Sequence, residues 1–384
     1  MRFSALILAL VVLFSSQDSK PITGRTTGRL PYLNYGLGED RLGGAKMGYL
    51  DSNVLVTIVD SVKNDYKVQL STNHFAYLPK TNFKLDTGTQ RQPYYLTSSW
   101  RVSGDDKYDY VSIGLTEKLP YRSMQLIDPA AIIVDIFGAV SNTNWITQLK
   151  SVKEIKNVWY EQLEDDVFRV HIQLNHKQHW GYYIHYRNNT LQIRVNRQPA
   201  SLKIRHLKIG IDAGHGGSNS GATGVNSKVN EKVYTLKIAK QLEKYLKCRK
   251  AEVFMTRNED IDVSMIDRTL MLREQQPALM VSIHLNSSGN PTISGVSTYY
   301  RYIGFRPLSQ KILDRMLQLG LNNFGNVGAF NFSLSGPTEY PNALIEVAFL
   351  SNTEDEKKIL SDKFQKQVAR QIYKGINDWL KNSK

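Results

Sequence analysis

The strongest constraint on the fold is a change of pattern near residue 205, after which short apolar runs alternate with amphipathic helical segments. Strands are predicted at residues 207–212, 252–257, 279–284, 295–301 and 343–349, and helices at 231–248, 264–276, 307–320, 353–361 and 364–381. This alternation is typical of α/β domains whose mostly parallel sheet is flanked by helices. We therefore predict one α/β domain over residues 205–384.

Capping and periodicity support the predicted helices. Ser264 followed by Asp267, and Ser351 followed by Glu354, resemble the capping boxes that begin helices. The last helix carries a single apolar stripe, which predicts that one of its faces is buried. The stripe consists of Phe364, Val368, Ile372, Ile376 and Trp379.

The chain before residue 205 indicates β structure. Residues 26–86 and 92–197 contain short strand-like runs, which predict two small all-β domains, the first a small barrel. Within the second, residues 167–174 alternate between polar and apolar side chains, as a half-buried strand does. Four of the eight histidines lie in 171–185. We expect solvated histidines there and no metal cluster, because no nearby cysteine or helical pairing supports one.

The first residues predict export. Arg2 precedes an apolar run of about ten residues, Ala5 to Phe14, and small residues follow it. This run is too short to span a bilayer, which takes roughly 20 apolar residues. We expect residues 1–18 to be a removed signal peptide, the mature chain to lack a transmembrane segment, and the protein to act in the periplasm or cell envelope. The single cysteine, Cys248, allows no internal disulfide, and we expect a monomer.

The formal net charge is +14, which favours an anionic partner such as an acidic wall polymer, although a merely solubilising surface explains it equally well. Nucleic acid is not expected as a partner. The sequence lacks a nucleic-acid recognition motif, and binding of this kind conflicts with export.

The stretch "IGIDAGHGGSNSGATG", residues 209–224, leads from an apolar run into a glycine-dense loop. It does not fit the phosphate-binding patterns G-x-x-x-x-G-K-[ST] or G-x-G-x-x-G. An oxyanion loop of the esterase kind requires a G-x-S-x-G nucleophile motif, which the chain lacks. A metal site therefore remains as the hypothesis, with His215 as its first ligand.

Three further residues could complete such a site, because ligands of open α/β sheets gather at the carboxyl ends of the strands. His284 ends one predicted strand, Glu231 lies in the first turn of the next helix, and Glu346 interrupts an apolar strand. Each has an ordinary alternative: a satisfied histidine, a carboxylate favoured by the helix dipole, or, less readily, a buried acid with a partner. Two histidines and a glutamate with one open position are a catalytic zinc arrangement.

The segments "IDAGHGG", "NEK", "TR", "SIHLN" and "IEVAFLSN" resemble, in order and spacing, the zinc-dependent N-acetylmuramoyl-L-alanine amidases that cut bacterial peptidoglycan. The resemblance covers about residues 205–382 and departs from the family at Ala213, where proline is usual. It implies zinc held by His215, Glu231 and His284, with Glu346 as the catalytic carboxylate. Substrate contacts are expected at Arg257, Arg268 and Asn286.

This resemblance implies hydrolysis of the amide between N-acetylmuramic acid and L-alanine, with peptidoglycan as partner and Zn²⁺ as cofactor. A zinc peptidase acting on the stem peptide and a non-catalytic wall-binding protein are the alternatives. About sixty residues separate His284 from Glu346, which leaves little room for the inhibitory insertion of some members. We expect an accessible groove lined by the aromatic-rich loop, unless Phe324, Phe330 and Phe332 simply pack.

The two β domains resemble accessory modules. Residues 92–197 are similar to the AMIN-type wall-targeting domain, through segments such as "AAIIVDIFGAVSN". Residues 26–86 are similar to bacterial Src-homology-3-like barrels, through strand spacing and the final "AYLPKTNFKL". The resemblance does not identify the ligand of either module.

Overall fold

The computed structural model describes residues 21–39 and 43–383. The predicted signal peptide, residues 1–18, lies outside these ranges. Within them, no helix is both long and apolar enough to cross a membrane.

Residues 22–85 form one seven-stranded sheet, named here the N-terminal sheet, in which all neighbouring strands are antiparallel. Its spatial order is β3-β2-β6-β5-β4-β1-β7, so β3 and β7 are edge strands. The strands are β1 (Ile22–Thr26), β2 (Tyr32–Asn34), β3 (Lys46–Tyr49), β4 (Leu55–Val62), β5 (Asp65–Gln69), β6 (Phe75–Pro79) and β7 (Phe83–Leu85).

Two further sheets follow. One has the order β10-β11-β15-β14 and the other β12-β8-β9-β17-β16, with β13 beside β8. The strands are β8 (Tyr95–Gly104), β9 (Tyr108–Leu115), β10 (Tyr121–Ile127), β11 (Ala130–Phe137), β12 (Ala139–Val140), β13 (Ile146–Gln148), β14 (Ile155–Glu164), β15 (Val167–Leu174), β16 (Tyr182–Arg187) and β17 (Thr190–Asn196). As predicted, β15 buries alternate side chains: Phe168, Val170, Ile172 and Leu174.

The two β regions share one hydrophobic core. A continuous cluster of buried side chains runs from Leu33 and Leu78 of the N-terminal sheet to Trp100 and Val195 of the second region. Because apolar burial is the main stabilising contribution to folding, these regions stabilise each other although the sequence between them has a linker composition.

The C-terminal region has a six-stranded sheet of order β19-β18-β20-β23-β21-β22, in which only the β21–β23 pair is antiparallel. Its strands are β18 (Lys208–Ala213), β19 (Glu252–Met255), β20 (Leu279–Asn286), β21 (Val296–Tyr299), β22 (Asn323–Val327) and β23 (Asn342–Phe349). Its helices are α1 (Glu231–Lys247), α2 (Met265–Gln275), α3 (Arg306–Met316), α4 (Thr353–Leu360) and α5 (Asp362–Asn382). The predicted α/β class is confirmed.

Three local features differ from the prediction. Strand β22 lies in a segment predicted as loop, because pairing with β21 holds a glycine-containing sequence extended. The helix predicted over residues 307–320 is α-helical only as far as Met316, and a short 3-10 turn follows it. The cap of α4 is Asn352 and not Ser351, since the Asn352 side chain accepts hydrogen bonds from the backbone N–H groups of Glu354 and Asp355.

The two faces of the C-terminal sheet are covered differently. One face packs against α1, α3 and α5, and all five residues of the predicted stripe on α5 are buried there. On the other face Met280 packs with Leu272 of α2 and with Tyr340. Strand alternation places Ser282, His284, Leu344 and Glu346 on this second face.

The histidines of residues 171–185 were predicted to be solvated, and this prediction is wrong for at least His179. His179 is buried and hydrogen-bonds the carbonyl of Leu126, while His171 stacks on Trp159 with 4.7 Å between ring centroids. Tertiary packing therefore uses these imidazoles as structural side chains.

Candidate metal centre

The glycine-dense loop after β18 places His215 at the carboxyl edge of the sheet. His215 has a φ of 61°, a left-handed conformation that is uncommon outside glycine and that often marks functional sites. A Cβ atom on the preceding Gly214 would lie 2.3 Å from Cε1 of His284. Glycine is therefore required at position 214 to let the second imidazole approach.

The three predicted ligands come together. Nε2 of His215 lies 3.1 Å from Oε2 of Glu231, and Nδ1 of His284 lies 3.1 Å from Oε1 of the same carboxylate. One candidate ligand atom from each residue lies within 4.8 Å of the others. They come from a loop, the first turn of α1 and the end of β20, which are far apart in sequence.

The donor set fits a catalytic zinc ion. Zinc takes imidazole nitrogens and carboxylate oxygens at about 2.0–2.2 Å, so neighbouring ligands of a tetrahedral ion lie about 3.4 Å apart. The separations of 3.1 Å on either side of Glu231 are close to this value. Gly221 provides further room, since a Cβ atom there would lie 2.5 Å from Oε2 of Glu231.

The electrostatics of the three residues are coupled. Burial acts to lower the pKa of His284, but the hydrogen bond and charge of Glu231 outweigh it and raise this pKa to about 9. Burial acts to raise the pKa of Glu231, yet hydrogen bonds with His215 and His284 hold it well below the usual range. The Glu231 carboxylate also accepts hydrogen bonds from the backbone N–H groups of Ala222 and Leu285, which fix its orientation.

Glu346 lies beside the three donors. It pairs with His284 in the parallel ladder between β20 and β23, and side chains of paired residues project from the same face of a sheet. Glu346 is 8% exposed, and its negative charge contributes to the raised pKa of His284. Glu346 is therefore adjacent to the donor set without belonging to the group of three.

Both predicted substrate arginines are buried beneath the glycine-dense loop that follows β18 and carries His215, named here the metal loop. Arg257 is 2% exposed and Arg268 is 1% exposed. Arg257 donates to the carbonyls of Ala213 and Gly214, at 2.9 and 2.8 Å. Arg268 donates to the carbonyls of Ala213 and His215, at 2.7 and 2.5 Å. Each arginine thus donates two hydrogen bonds to the backbone that carries His215, in addition to bonds with neighbouring groups such as Lys232 and Asp212.

Asn286, the third predicted substrate residue, is the last residue of β20, and its side-chain Oδ1 accepts a hydrogen bond from the backbone N–H of Ser287 at 2.8 Å. Phe330 and Phe332 pack against Tyr299, whereas Phe324 packs against Phe349. The aromatic residues of this region therefore pack with one another, and Phe330 and Phe332 are near the face that carries Glu346.

Two functional residues were not singled out from the sequence. Asp212 is fully buried and accepts hydrogen bonds from Arg268, Thr256 and Ser282. A carboxylate within the apolar run "IGIDA" was the available signal for it. Oδ1 of Asn219 lies 2.9 Å from Nδ1 of His215 and orients that ring, and no local pattern identifies Asn219.

The fold and donor set define an α/β protein with a candidate metal centre of two histidines and one carboxylate. The profile of the N-acetylmuramoyl-L-alanine amidase family matches residues 209–378, and an AMIN domain profile matches residues 100–200. The germination-specific N-acetylmuramoyl-L-alanine amidase of Bacillus subtilis (strain 168) is 32% identical over 197 residues, which are 47% of this chain and 82% of that protein. The chain belongs to the N-acetylmuramoyl-L-alanine amidase family.

Other relatives extend the comparison. The probable cell wall amidase LytH of Staphylococcus saprophyticus is 29% identical over 190 residues, which are 49% of this chain and 64% of that protein. This chain thus spans just under two thirds of that relative's length. The solved catalytic domain of CwlV, an N-acetylmuramoyl-L-alanine amidase from Bacillus (Paenibacillus) polymyxa var. colistinus, is 33% identical with a TM-score of 0.44, covering 46% of this chain and 99% of that one.

Proposed function

We propose that this protein is a zinc-dependent N-acetylmuramoyl-L-alanine amidase that hydrolyses the amide between the lactyl group of N-acetylmuramic acid and L-alanine in peptidoglycan. Its role is cell-wall remodelling or separation of daughter cells. The observation that carries this proposal is the convergence of His215, Glu231 and His284, with Glu346 next to His284. Family membership supplies the substrate class.

Nε2 of His215, a carboxylate oxygen of Glu231 and a ring nitrogen of His284 hold the ion in this proposal. A bound zinc ion supplies Lewis acidity, which lowers the pKa of a water molecule and polarises the scissile carbonyl. Two of the three side chains are held by groups outside the donor set, because Asn219 orients His215 and two backbone N–H groups orient Glu231.

Glu346 serves as general base and then as general acid. A carboxylate oxygen accepts a proton from the water that attacks the lactyl carbonyl carbon and donates it to the amide nitrogen as the C–N bond breaks, so that L-alanine leaves as a neutral amine. The position of Glu346 beside His284 puts this carboxylate at the same sheet edge as the donors. Its low exposure limits competing contact with bulk water.

We assign Arg257 and Arg268 a positioning role in place of the substrate contacts predicted from the sequence. Their hydrogen bonds to the carbonyls of residues 213–215 support the left-handed backbone of His215. Asn286 remains the proposed substrate contact, because it lies at the sheet edge with His284.

The N-terminal half is proposed to serve the same substrate. The AMIN domain is the proposed wall-binding module, and the N-terminal sheet is proposed to be a Src-homology-3-like barrel, which its seven antiparallel strands support. Action in the periplasm or cell envelope after export accords with this substrate. Its net charge of +14 also suits an acidic wall polymer.

Digestion of purified sacculi by the full-length protein, followed by mass spectrometry of the products, tests the proposal. Free muramic lactyl groups together with intact stem peptides identify an amidase, whereas cleaved stem peptides identify the peptidase alternative. We expect Glu346→Gln to retain zinc and to lose about 10²- to 10⁴-fold in rate. Glu354→Gln is the matched control, because Glu354 is an exposed helix residue paired with Lys357. Full activity of Glu346→Gln would refute its assigned role.

A further inference from the structure

One loop of the catalytic region lies between the N-terminal sheet and the proposed active site. This aromatic loop, residues 328–336, connects β22 to the segment that leads into β23 and Glu346. Ring centroids of Phe330 and Phe332 lie 4.9 and 5.1 Å from that of Tyr299, and 4.6 Å from each other. The loop therefore contributes two rings to a cluster centred on Tyr299.

Tyr299 connects this cluster to the site. It lies two residues after Ser297, which pairs with Glu346 between β21 and β23, so Tyr299 projects from the same face as Glu346. Burial raises the pKa of Tyr299, and the nearby charge of Glu346 raises it further. The hydroxyl group also receives a hydrogen bond from Ser297, at 3.3 Å. The position of this ring thus affects the surroundings of the proposed catalytic acid.

The N-terminal sheet holds the aromatic loop through its edge strand β3. Oδ1 of Asn331 accepts from the backbone N–H of Lys46 at 3.0 Å, and Nδ2 of Asn331 donates to the carbonyl of Gly44 at 2.8 Å. The hydroxyl of Tyr49 donates to the carbonyl of Ser333 at 3.3 Å. An edge strand presents backbone groups that lack a neighbouring strand, and the Asn331 amide takes up two of these groups near β3.

The backbone of the aromatic loop is constrained where it approaches this contact. Ala329 has a φ of 54°, a left-handed conformation that is unfavourable for a residue with a Cβ atom. Such a conformation persists only where its surroundings impose it. The bonds of Asn331 to the N-terminal sheet begin two residues later and are a source of that constraint.

We propose that the N-terminal sheet is a positioning part of the catalytic site, acting through Asn331 and the aromatic loop to hold Tyr299 beside Glu346. The predicted effect of the N-terminal sheet on catalysis rests on the proposed function, whereas its effect on the position of the aromatic loop does not. Asn331 is assigned a positioning role, because it hydrogen-bonds Gly44 and Lys46 of the N-terminal sheet as well as Arg301, and it acts on Glu346 through the aromatic loop. The N-terminal sheet therefore contributes to turnover in addition to any wall binding.

Comparison of Asn331→Ala with Arg29→Ala in the full chain tests this proposal. Both variants remove a contact between the N-terminal sheet and the catalytic region, but the Arg29–Asp267 ion pair is exposed and does not involve the aromatic loop. We expect Asn331→Ala to speed amide hydrogen exchange in residues 328–336 and to lower kcat about tenfold, with KM and zinc content unchanged. Arg29→Ala should match the unmodified protein in all four measurements.

Asn331→Asp is the conservative variant, since it keeps an oxygen acceptor for the Lys46 N–H and the contact with Arg301. We expect its kcat to lie between those of Asn331→Ala and the unmodified protein. If Asn331→Ala does not fold, Tyr49→Phe removes the hydroxyl that donates to the carbonyl of Ser333 and should still lower kcat about two- to threefold.

The proposal is overturned if Asn331→Ala keeps full turnover, or if Arg29→Ala loses as much as Asn331→Ala, because general docking stability would then explain the effect. Equal hydrogen exchange of the loop in Asn331→Ala and in the unmodified protein would also refute it. A failure of the unmodified protein to release lactyl groups from sacculi refutes the proposed function instead, and the exchange comparison then still decides whether the N-terminal sheet holds the loop.

Discussion

Arg268 and Asp212 form a buried ion pair directly beneath the metal loop. Nη1 of Arg268 lies 2.7 Å from Oδ1 of Asp212, and both side chains are about 1% exposed. Burial acts to raise the pKa of Asp212, but the charge of Arg268 and hydrogen bonds from Ser282 and Thr256 lower it. Asp212 is the penultimate residue of β18, and Arg268 also donates a hydrogen bond to the carbonyl of His215. This pair therefore connects the sheet to the first proposed metal ligand.

Arg268→Met should be strongly destabilising. It leaves the Asp212 carboxylate buried without its cation, and breaking a buried pair in this way costs about 3–5 kcal/mol. The measurement is the free energy of unfolding from denaturant titration of the metal-free protein. Arg29→Met serves as control, because its pair with Asp267 is solvent-exposed and such pairs contribute little to stability. Equal stability of the two variants would show that the Asp212 pair has no special structural role.

Gly214→Ala should lose zinc affinity by at least about tenfold, because the new Cβ atom overlaps the His284 imidazole and must displace a ligand. Chelator competition measures the affinity. Gly289→Ala is a matched control, since an added Cβ atom at that position meets nothing within 4 Å. A Gly214→Ala variant with unchanged affinity would mean that His284 does not need its present position to bind zinc.

Asn219→Ala should weaken zinc binding by about 10- to 100-fold while leaving the fold intact, because Asn219 orients His215 from outside the donor set. Asn219 is exposed, so its removal creates no buried cavity. Asn290→Ala, which alters an exposed turn bonded to Thr292, is the comparison variant. Similar zinc affinities for both variants would contradict the orienting role.

Zinc affinity should rise with pH from neutrality to about pH 9. Zinc requires a neutral imidazole, whereas Glu231 outweighs burial and raises the pKa of His284 to about 9 in the metal-free protein. Each ion bound below this pH displaces one proton from His284, so affinity increases about tenfold per pH unit and levels off above about pH 9. Chelator competition at four pH values measures the slope. A flat profile would indicate that His284 is already neutral at pH 7.

The same pKa shift predicts how the metal-free fold responds to pH. The pKa of His284 is raised above its unfolded value of about 6.5, so the His284–Glu231 pair stabilises the fold fully below that pH. Its contribution is lost as pH rises through about 9. The midpoint of thermal unfolding of the metal-free protein should therefore fall between pH 7 and pH 9.5. Saturating zinc should abolish this part of the decline, because the metal-bound imidazole no longer titrates.

The sequence predicted the α/β region well because its signals are local. The apolar stripe on α5 and the Ser264 cap of α2 depend on residues within a few turns of one another, and the structure confirms both. The segment of β22 was predicted as loop and the α4 cap was predicted one residue too early, because sheet pairing and the choice between adjacent cap residues depend on the rest of the fold.

The sequence by itself determined which side chains could bind a metal, since His215 follows a strand, Glu231 opens a helix, and His284 and Glu346 lie in strands, in a recognisable order. Only the tertiary structure decided that Arg257 and Arg268 face the loop carbonyls, that Asn219 orients His215, and that the N-terminal sheet reaches the aromatic loop. The physical reason is sequence separation: hydrogen bonds between residues such as Lys46 and Asn331, 285 positions apart, arise from packing and leave no local pattern.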